Sequence, residues 1–303
     1  MPMKGSTAQE NRATNYMRLA ALASVGCAIL LILVKAYAYW SSGSVSVLAS
    51  LLDSAVDSLA SLVNLFAIVY ATRPADEKHR FGHGKAESLA GLGQSILIMI
   101  SAAYLLIEGI QRISNPHPLQ QVDVAVAVML FSILVTFFLV WFQNKVVKMT
   151  ESVAVKADSM HYLSDLLTNV AIILALVVGL FGWHSADALL AIGVAIYIFY
   201  IAVQLWSEST QHLLDRALPL DQQRKIQALA LRHPDVTGVH SIRTRQAGRV
   251  KIIQLHLQMD GDISLWQAHR ISDDVERRIQ KIFPNCDVLI HQDPYDDSLI
   301  HDA

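Results

Sequence analysis

Six apolar runs separated by polar breaks fill the first two thirds of the chain. They cover about Leu19–Trp40, Val45–Tyr70, Leu89–Ile110, Val122–Phe142, Val155–Leu180 and Ala186–Trp206. Each reaches the ~20 residues that a helix rising ~1.5 Å per residue needs to cross a hydrocarbon core of ~30 Å. Helices are the form to expect, because backbone N–H and C=O groups find no water in lipid and must pair within the segment. From about Glu208 the pattern becomes that of a soluble domain. "LPLDQQRKIQALALRH" has apolar residues at helical spacing, with Asp221 as its expected N-cap. "VHSIRTRQAGRVKIIQLHLQM" alternates apolar and polar on both sides of "QAG", a hairpin pattern. "SLWQAHRISDDVERRIQKIF" reads as an amphipathic helix capped by Ser264 and stopped by Pro284, and "CDVLIHQD" as a third strand. The predicted fold is an α-helical membrane protein: six transmembrane helices, then a small C-terminal α/β domain of order αββαβ. The expected divisions are an N-terminal arm at 1–18, a membrane domain at 19–207, a C-terminal domain at 208–296 and a tail at 297–303.

Composition agrees with that pattern. Of 303 residues, 53% are hydrophobic and only 17% are charged, against about 25% charged in soluble domains. A net charge of −2 leaves no basic footprint, so nucleic acid is excluded as a partner. Cys27 and Cys286 form neither a disulfide framework nor a CxxC pair. The opening "MPMKGSTAQENRATNYMR" lacks the apolar core of a signal peptide, so the spans themselves are expected to direct membrane entry. Charge also sets orientation. Lys4, Arg12 and Arg18 precede the first span, Arg73, Lys78, Arg80 and Lys85 follow the second, and Lys145, Lys148 and Lys156 follow the fourth. By the positive-inside rule these segments and both termini are cytoplasmic, with Arg112 the one dissenter.

The second span raises a chemical question. "SLLDSAVDSL" places Asp53 and Asp57 inside it, and each carboxylate costs ~2.5–3.5 kcal/mol at mid-bilayer on translocon scales. Four residues apart, they share one helix face. The fifth span repeats the spacing, with His161 and Asp165 in "ADSMHYLSDLLTNV". Brought together, the two pairs offer four N/O donors, the number that a tetrahedral Zn²⁺-type ion takes. A single such pair is well explained as a polar contact between helices. Two pairs on two spans favour metal, because the ion neutralises most of their charge. Other intramembrane polar groups have blander readings. Lys35 can snorkel; Glu108, Asp158 and Asp187 lie near span ends; Gln94 and Asn169 suit interhelical hydrogen bonds. An imidazole among oxygens suits Zn²⁺, Cd²⁺ or Fe²⁺ better than Mg²⁺ or Ca²⁺, with Zn²⁺ the first choice. Metal requires deprotonated ligands, so binding is expected to release protons.

Two further clusters lie outside the spans. In "ADEKHRFGHGK", Asp76, His79 and His83 are spaced so that a helical turn or tight loop could seat a metal, although a solvated basic loop would look the same. The C-terminal segment holds His240, His256, His269, His291 and Asp293, and the last two share one side of a strand. No P-loop, HExxH or nucleophile elbow is present, and the spans lack the ExxH ligands of di-iron bundles. An enzyme is therefore not expected. A metal sensor that transports nothing is the remaining alternative, since a transporter of organic cations would want aromatic cages.

"DSAVDS", "HYLSD" and "HRFGHGKAE" together resemble the cation diffusion facilitator family, in its bacterial zinc and ferrous-iron efflux branch. The resemblance runs from about Arg18 to Asp293. It implies a homodimeric antiporter of the bacterial inner membrane that exports Zn²⁺, with Fe²⁺ or Cd²⁺ as further substrates, in exchange for protons. Asp53, Asp57, His161 and Asp165 match the family's transport site one for one. Asp76, His79 and His83 would form a second site. His240, His256, His269, His291 and Asp293 would hold a binuclear zinc site in a metallochaperone-like domain, bridged by Asp293 near the dimer interface, with a structural or regulatory part. Lys85 and Asp215 would form a charge interlock.

Overall fold

The computed structural model describes residues 6–43, 45–114, 122–181 and 186–295; the predicted tail at 297–303 lies outside them. The chain divides into two compact units, Arg12–Thr210 and a smaller one that comprises Gln211–Ala303 and Met1–Asn11.

The larger unit consists of six long helices: α1 (Ser6–Ser42), α2 (Val45–Ala71), α3 (Lys85–Ser114), α4 (Val122–Thr150), α5 (Val153–Leu180) and α6 (Ala186–Leu213). All six are long and apolar enough to cross a membrane. Several outrun their apolar stretches because those mark only the hydrocarbon depth, and the helix continues into the polar interface. α1 accordingly begins within the stretch expected as an arm. Leu19, Leu33, Phe66, Phe137, Trp141 and Tyr200 are exposed on the outside of the bundle, as a lipid-facing surface requires.

Small residues permit close packing inside. A Cβ at Gly91 of α3 would stand 2.9 Å from Val153 Cγ1 on α5 and 2.7 Å from Ser209 Oγ on α6, the close helix approach by which membrane helices associate. Side-chain bonds tie the ends. Arg18 donates to Thr72 Oγ1 at 2.9 Å, joining α1 to the chain just past α2. Ser152 caps α5 by accepting from Val155 N–H, while its hydroxyl donates to buried Glu87 on α3. Arg112 lies 3.1 Å from Glu108 and 2.7 Å from Asp187. These acidic partners neutralise the one cation that ran against the charge rule.

The smaller unit is a two-layer α/β sandwich in the predicted order: α7 (Leu220–Ala230), β1 (Gly238–Ala247), β2 (Val250–Asp260), α8 (Leu265–Ile282) and β3 (Cys286–Tyr295). The sheet order is β1-β2-β3, with β1 antiparallel and β3 parallel to β2. Along β2, Ile253, Leu255, Leu257 and Met259 are buried and form the core with Ile226 and Leu229 of α7 and Ile271, Val275 and Ile279 of α8. The intervening positions, His256 among them, therefore face away from the helices. Ser264 caps α8 in a full capping box with Gln267, as expected. Asp221 does not cap α7. Pro219 holds that position without a side-chain bond, its fixed φ suiting a helix start, and Asp221 sits in the first turn, where a carboxylate complements the helix dipole.

Candidate metal centres

Helical period sets the geometry of the transmembrane site. Asp53 and Asp57 lie one turn apart on α2, His161 and Asp165 one turn apart on α5, and the two helices pack together. His161 Nε2 stands 3.1 Å from Asp57 Oδ1 and 4.0 Å from Asp165 Oδ2. Ligand bonds of ~2.1 Å around a tetrahedral ion put neighbouring donors about 3.4 Å apart, so these separations fit a small dication. Donor atoms of Asp57, His161 and Asp165 all lie within 4.8 Å of one another. Asp53 is outside that trio, but it lines the same cavity of ≈ 50 Å³ as Asp57 and Asp165. Asn169, read as an interhelical hydrogen bonder, lines it too.

Between α2 and α3 a tight loop, not a helical turn, gathers Asp76, His79 and His83. Asp76 Oδ1 accepts from the backbone N–H of His79 at 2.6 Å and of Lys78 at 2.9 Å, an Asx-type turn. These bonds hold the Asp76 carboxyl below the usual carboxylate range, the His79 one contributing most. His79 Nδ1 lies 3.4 Å and His83 Nε2 3.3 Å from the same carboxylate. His83 is buried against Tyr70, its Nδ1 without a hydrogen-bond partner, while Asp76 and His79 are half exposed. One carboxylate and two imidazoles within 4.8 Å suit a transition-metal ion.

The third cluster depends on strand register. His240 of β1 pairs across the sheet with His256 of β2, which pairs with His291 of β3. The three imidazoles thus form a row on the face that the helices leave open. Asp293 anchors it, 3.1 Å from His240 Nε2, 2.9 Å from His256 Nδ1 and 3.1 Å from His291 Nε2. Partial burial opposes ionisation of Asp293, but the His256 hydrogen bond and the neighbouring imidazoles hold its carboxyl below its ordinary value. A bulge just after His240, with Ser241 at φ 51°, redirects the strand at this point. His269 does not join the row. It stands on the exposed side of α8, near Trp266 and Asp273, with the sheet between it and the other histidines.

Residues 21–214 match the family model described as the cation efflux transmembrane domain. The chain belongs to the cation efflux family. Residues 218–295 match the model of the cation efflux protein cytoplasmic domain. Three proteins named cation-efflux pump FieF are similar to the chain over 283 residues, 92% of it and 94% of each of them. They come from Escherichia fergusonii (49% identity), Klebsiella pneumoniae (50%) and Shigella flexneri serotype 5b (49%). Membership is what the motifs of the second and fifth spans imply, and it makes the protein an integral membrane transporter of cations rather than an enzyme.

Two charged residues of this cation efflux protein have larger roles than the sequence reading gives them. Lys35 does not snorkel. Its side chain is buried (8% exposed) and donates to Ser54 Oγ at 2.6 Å and Ser50 O at 3.1 Å, in the cavity of the transmembrane site. Asp158, although near the start of α5, is fully buried. It accepts from the Ser24 hydroxyl and, at 2.7 Å, from Gln143 Nε2, while its Oδ1 has no partner. The Tyr162 hydroxyl extends this network, 2.9 Å from Ser61 Oγ and donating to Ser24 O at 3.2 Å. A signal for Asp158 was available: it precedes His161 by three residues and Asp165 by seven, on the same helical stripe. Asp158→Ala is expected to cost about 1–3 kcal/mol, because it leaves two buried donors without their acceptor. Thermal unfolding in detergent checks this, and the isosteric Asp158→Asn should lose less.

Proposed function

We propose that the protein exports Zn²⁺ from the cytoplasm in exchange for protons, with Fe²⁺ and Cd²⁺ as further substrates. Asp53, Asp57, His161 and Asp165 would be the ligands of the transported ion. The observation that carries this reading is the convergence of Asp57, His161 and Asp165 from two helices inside the membrane-spanning region. An uncompensated carboxylate pair has no reason to persist there, whereas a dication neutralises it. Asp53, one turn along α2 in the same cavity, would complete the coordination as the helices adjust. Ligation needs neutral imidazole and ionised carboxylates, so loading releases protons and unloading takes them up. Exposure of the site alternately to each side then couples outward metal movement to inward proton flow.

The same proposal covers the rest of the molecule. The distribution of Lys and Arg supports cytoplasmic termini, and the family supports a bacterial inner membrane. A homodimer is supported by the cytoplasmic-domain match and by the frequency of two-fold closure among oligomers. Asp76, His79 and His83 would hold one cytoplasmic metal, and His240, His256, His291 and Asp293 would hold metal on the open sheet face. Metal at either place biases the transport cycle or braces the dimer. Within its own unit Asp215 pairs with Arg245 at 3.2 Å; an interlock with Lys85 belongs to this reading as well.

Reconstitution into liposomes with an acidic lumen tests it. Zn²⁺ is expected to accumulate as the lumen becomes less acidic, and a protonophore is expected to stop it. Accumulation that ignores the protonophore would remove the proton coupling. Binding without accumulation would make the protein a sensor.

A further inference from the structure

The transmembrane cavity contains a group that binds no metal. We propose that Lys35 is the built-in counter-charge of the transport site, setting its affinity for a dication and allowing the ion to leave. This rests on the reading of Asp53, Asp57, His161 and Asp165 as transport ligands and adds to it a residue from a third helix.

A lysine buried at bilayer depth is retained only where something compensates it. Here Lys35 projects from α1 to α2, and its two hydrogen bonds go to Ser50 and Ser54. Those serines stand one helical turn apart on either side of Asp53, so the ammonium is pinned against the turn that carries a proposed ligand. It shares one cavity with Asp53, Asp57 and Asp165. An ammonium has three N–H donors and no lone pair. It therefore cannot ligate the metal and acts purely as charge.

The formal charges close. Three carboxylates and a neutral imidazole around a dication sum to −1, and Lys35 brings the loaded site to zero. A neutral assembly costs least in a low-dielectric setting, and neutrality is reached with one dication rather than a monovalent or trivalent ion. The count covers the groups lining the cavity; Asp158 is not among them and is held by Ser24 and Gln143 beside it. Lys35 also repels the metal that it helps to neutralise. A site of four ligands alone would hold zinc tightly, and a fixed positive charge beside it weakens that hold enough for release.

The test is zinc uptake by proteoliposomes holding the full-length protein, wild type against Lys35→Gln, Lys35→Arg and Asp57→Ala. In Lys35→Gln the KM for Zn²⁺ is expected to fall about tenfold, as a like charge in the same cavity is removed, and kcat to fall because release slows. Lys35→Arg keeps the charge and is expected to hold KM within about twofold of wild type. An unchanged KM in Lys35→Gln, even with a lowered melting temperature, would show a merely structural lysine and overturn the proposal. So would a KM shift in Lys35→Arg equal to that in Lys35→Gln, since charge would not then be its cause. Should Lys35→Gln fail to fold, Lys35→Met, which keeps the length and apolar stem, is read in its place by the same criteria. Asp57→Ala separates the two levels. If it transports at the wild-type rate, the ligand assignment itself fails; if it is inactive while Lys35→Gln matches wild type, only the counter-charge fails.

Discussion

Asp57→Ala is expected to reduce metal transport to the background of protein-free liposomes. Asp57 is the α2 carboxylate that meets α5: its Oδ1 lies 3.1 Å from His161 Nε2, and it belongs to the trio whose donor atoms are within 4.8 Å of each other. On the proposed assignment, truncation removes a coordinating oxygen, and it unties His161 from its 3.1 Å contact with Asp57. Loss of a supporting contact alone typically costs about 10–100-fold in metal affinity, so loss of a coordinating oxygen should exceed that range. Zinc uptake and proton counterflow should fail together and zinc titration should lose one site, the two groups outside the spans still binding, while the melting temperature stays near that of the wild type. Uptake surviving at even half the wild-type rate would exclude the assignment.

The second large effect concerns the sheet of the smaller unit. Asp293→Ala is expected to abolish the zinc-dependent stabilisation of the C-terminal unit. Its carboxylate lies within 3.1 Å of His240, His256 and His291, and no other carboxylate among the described residues shares a metal-holding group with His240 and His256. For a metal bound only by the folded state, a hundredfold excess over Kd adds about 2.7 kcal/mol of stability. Calorimetry of the full-length protein should therefore show a zinc-dependent rise in the C-terminal transition for wild type and none for Asp293→Ala. A chelator added to the wild type should reproduce the variant's melting curve. An equal rise in both proteins would mean that zinc is held elsewhere.

What was legible in the sequence followed the range of the physics involved. Six spans could be read because apolar length is a local property. Asp53 with Asp57, and His161 with Asp165, could be paired because helical period alone places residues four apart on one face. The αββαβ order was legible for the same reason. Rotation and register were not. Whether Lys35 turns toward lipid or into the cavity depends on how α1 is rotated against α2, which no spacing within α1 contains. Asp158 looks like an interface residue by its distance from the span end, yet Ser24 and Gln143, distant in sequence, enclose it. The alignment of His240, His256 and His291 depends on one antiparallel and one parallel register, and a one-residue slip in either would turn a histidine to the other face. His269 was grouped with them by residue type; the sheet that intervenes is visible only in three dimensions.

Gly91 has a mechanical consequence. It is a spacer of zero thickness between α3 and the first turn of α5, and the helix it touches is a stiff rod. His161 stands eight residues beyond Val153, about 12 Å along that rod, so a side chain added at position 91 would act as a wedge under one end of a lever. The tilt would reach the proposed ligands without any of them being altered, which makes this close approach a control on the shape of a cavity it never touches.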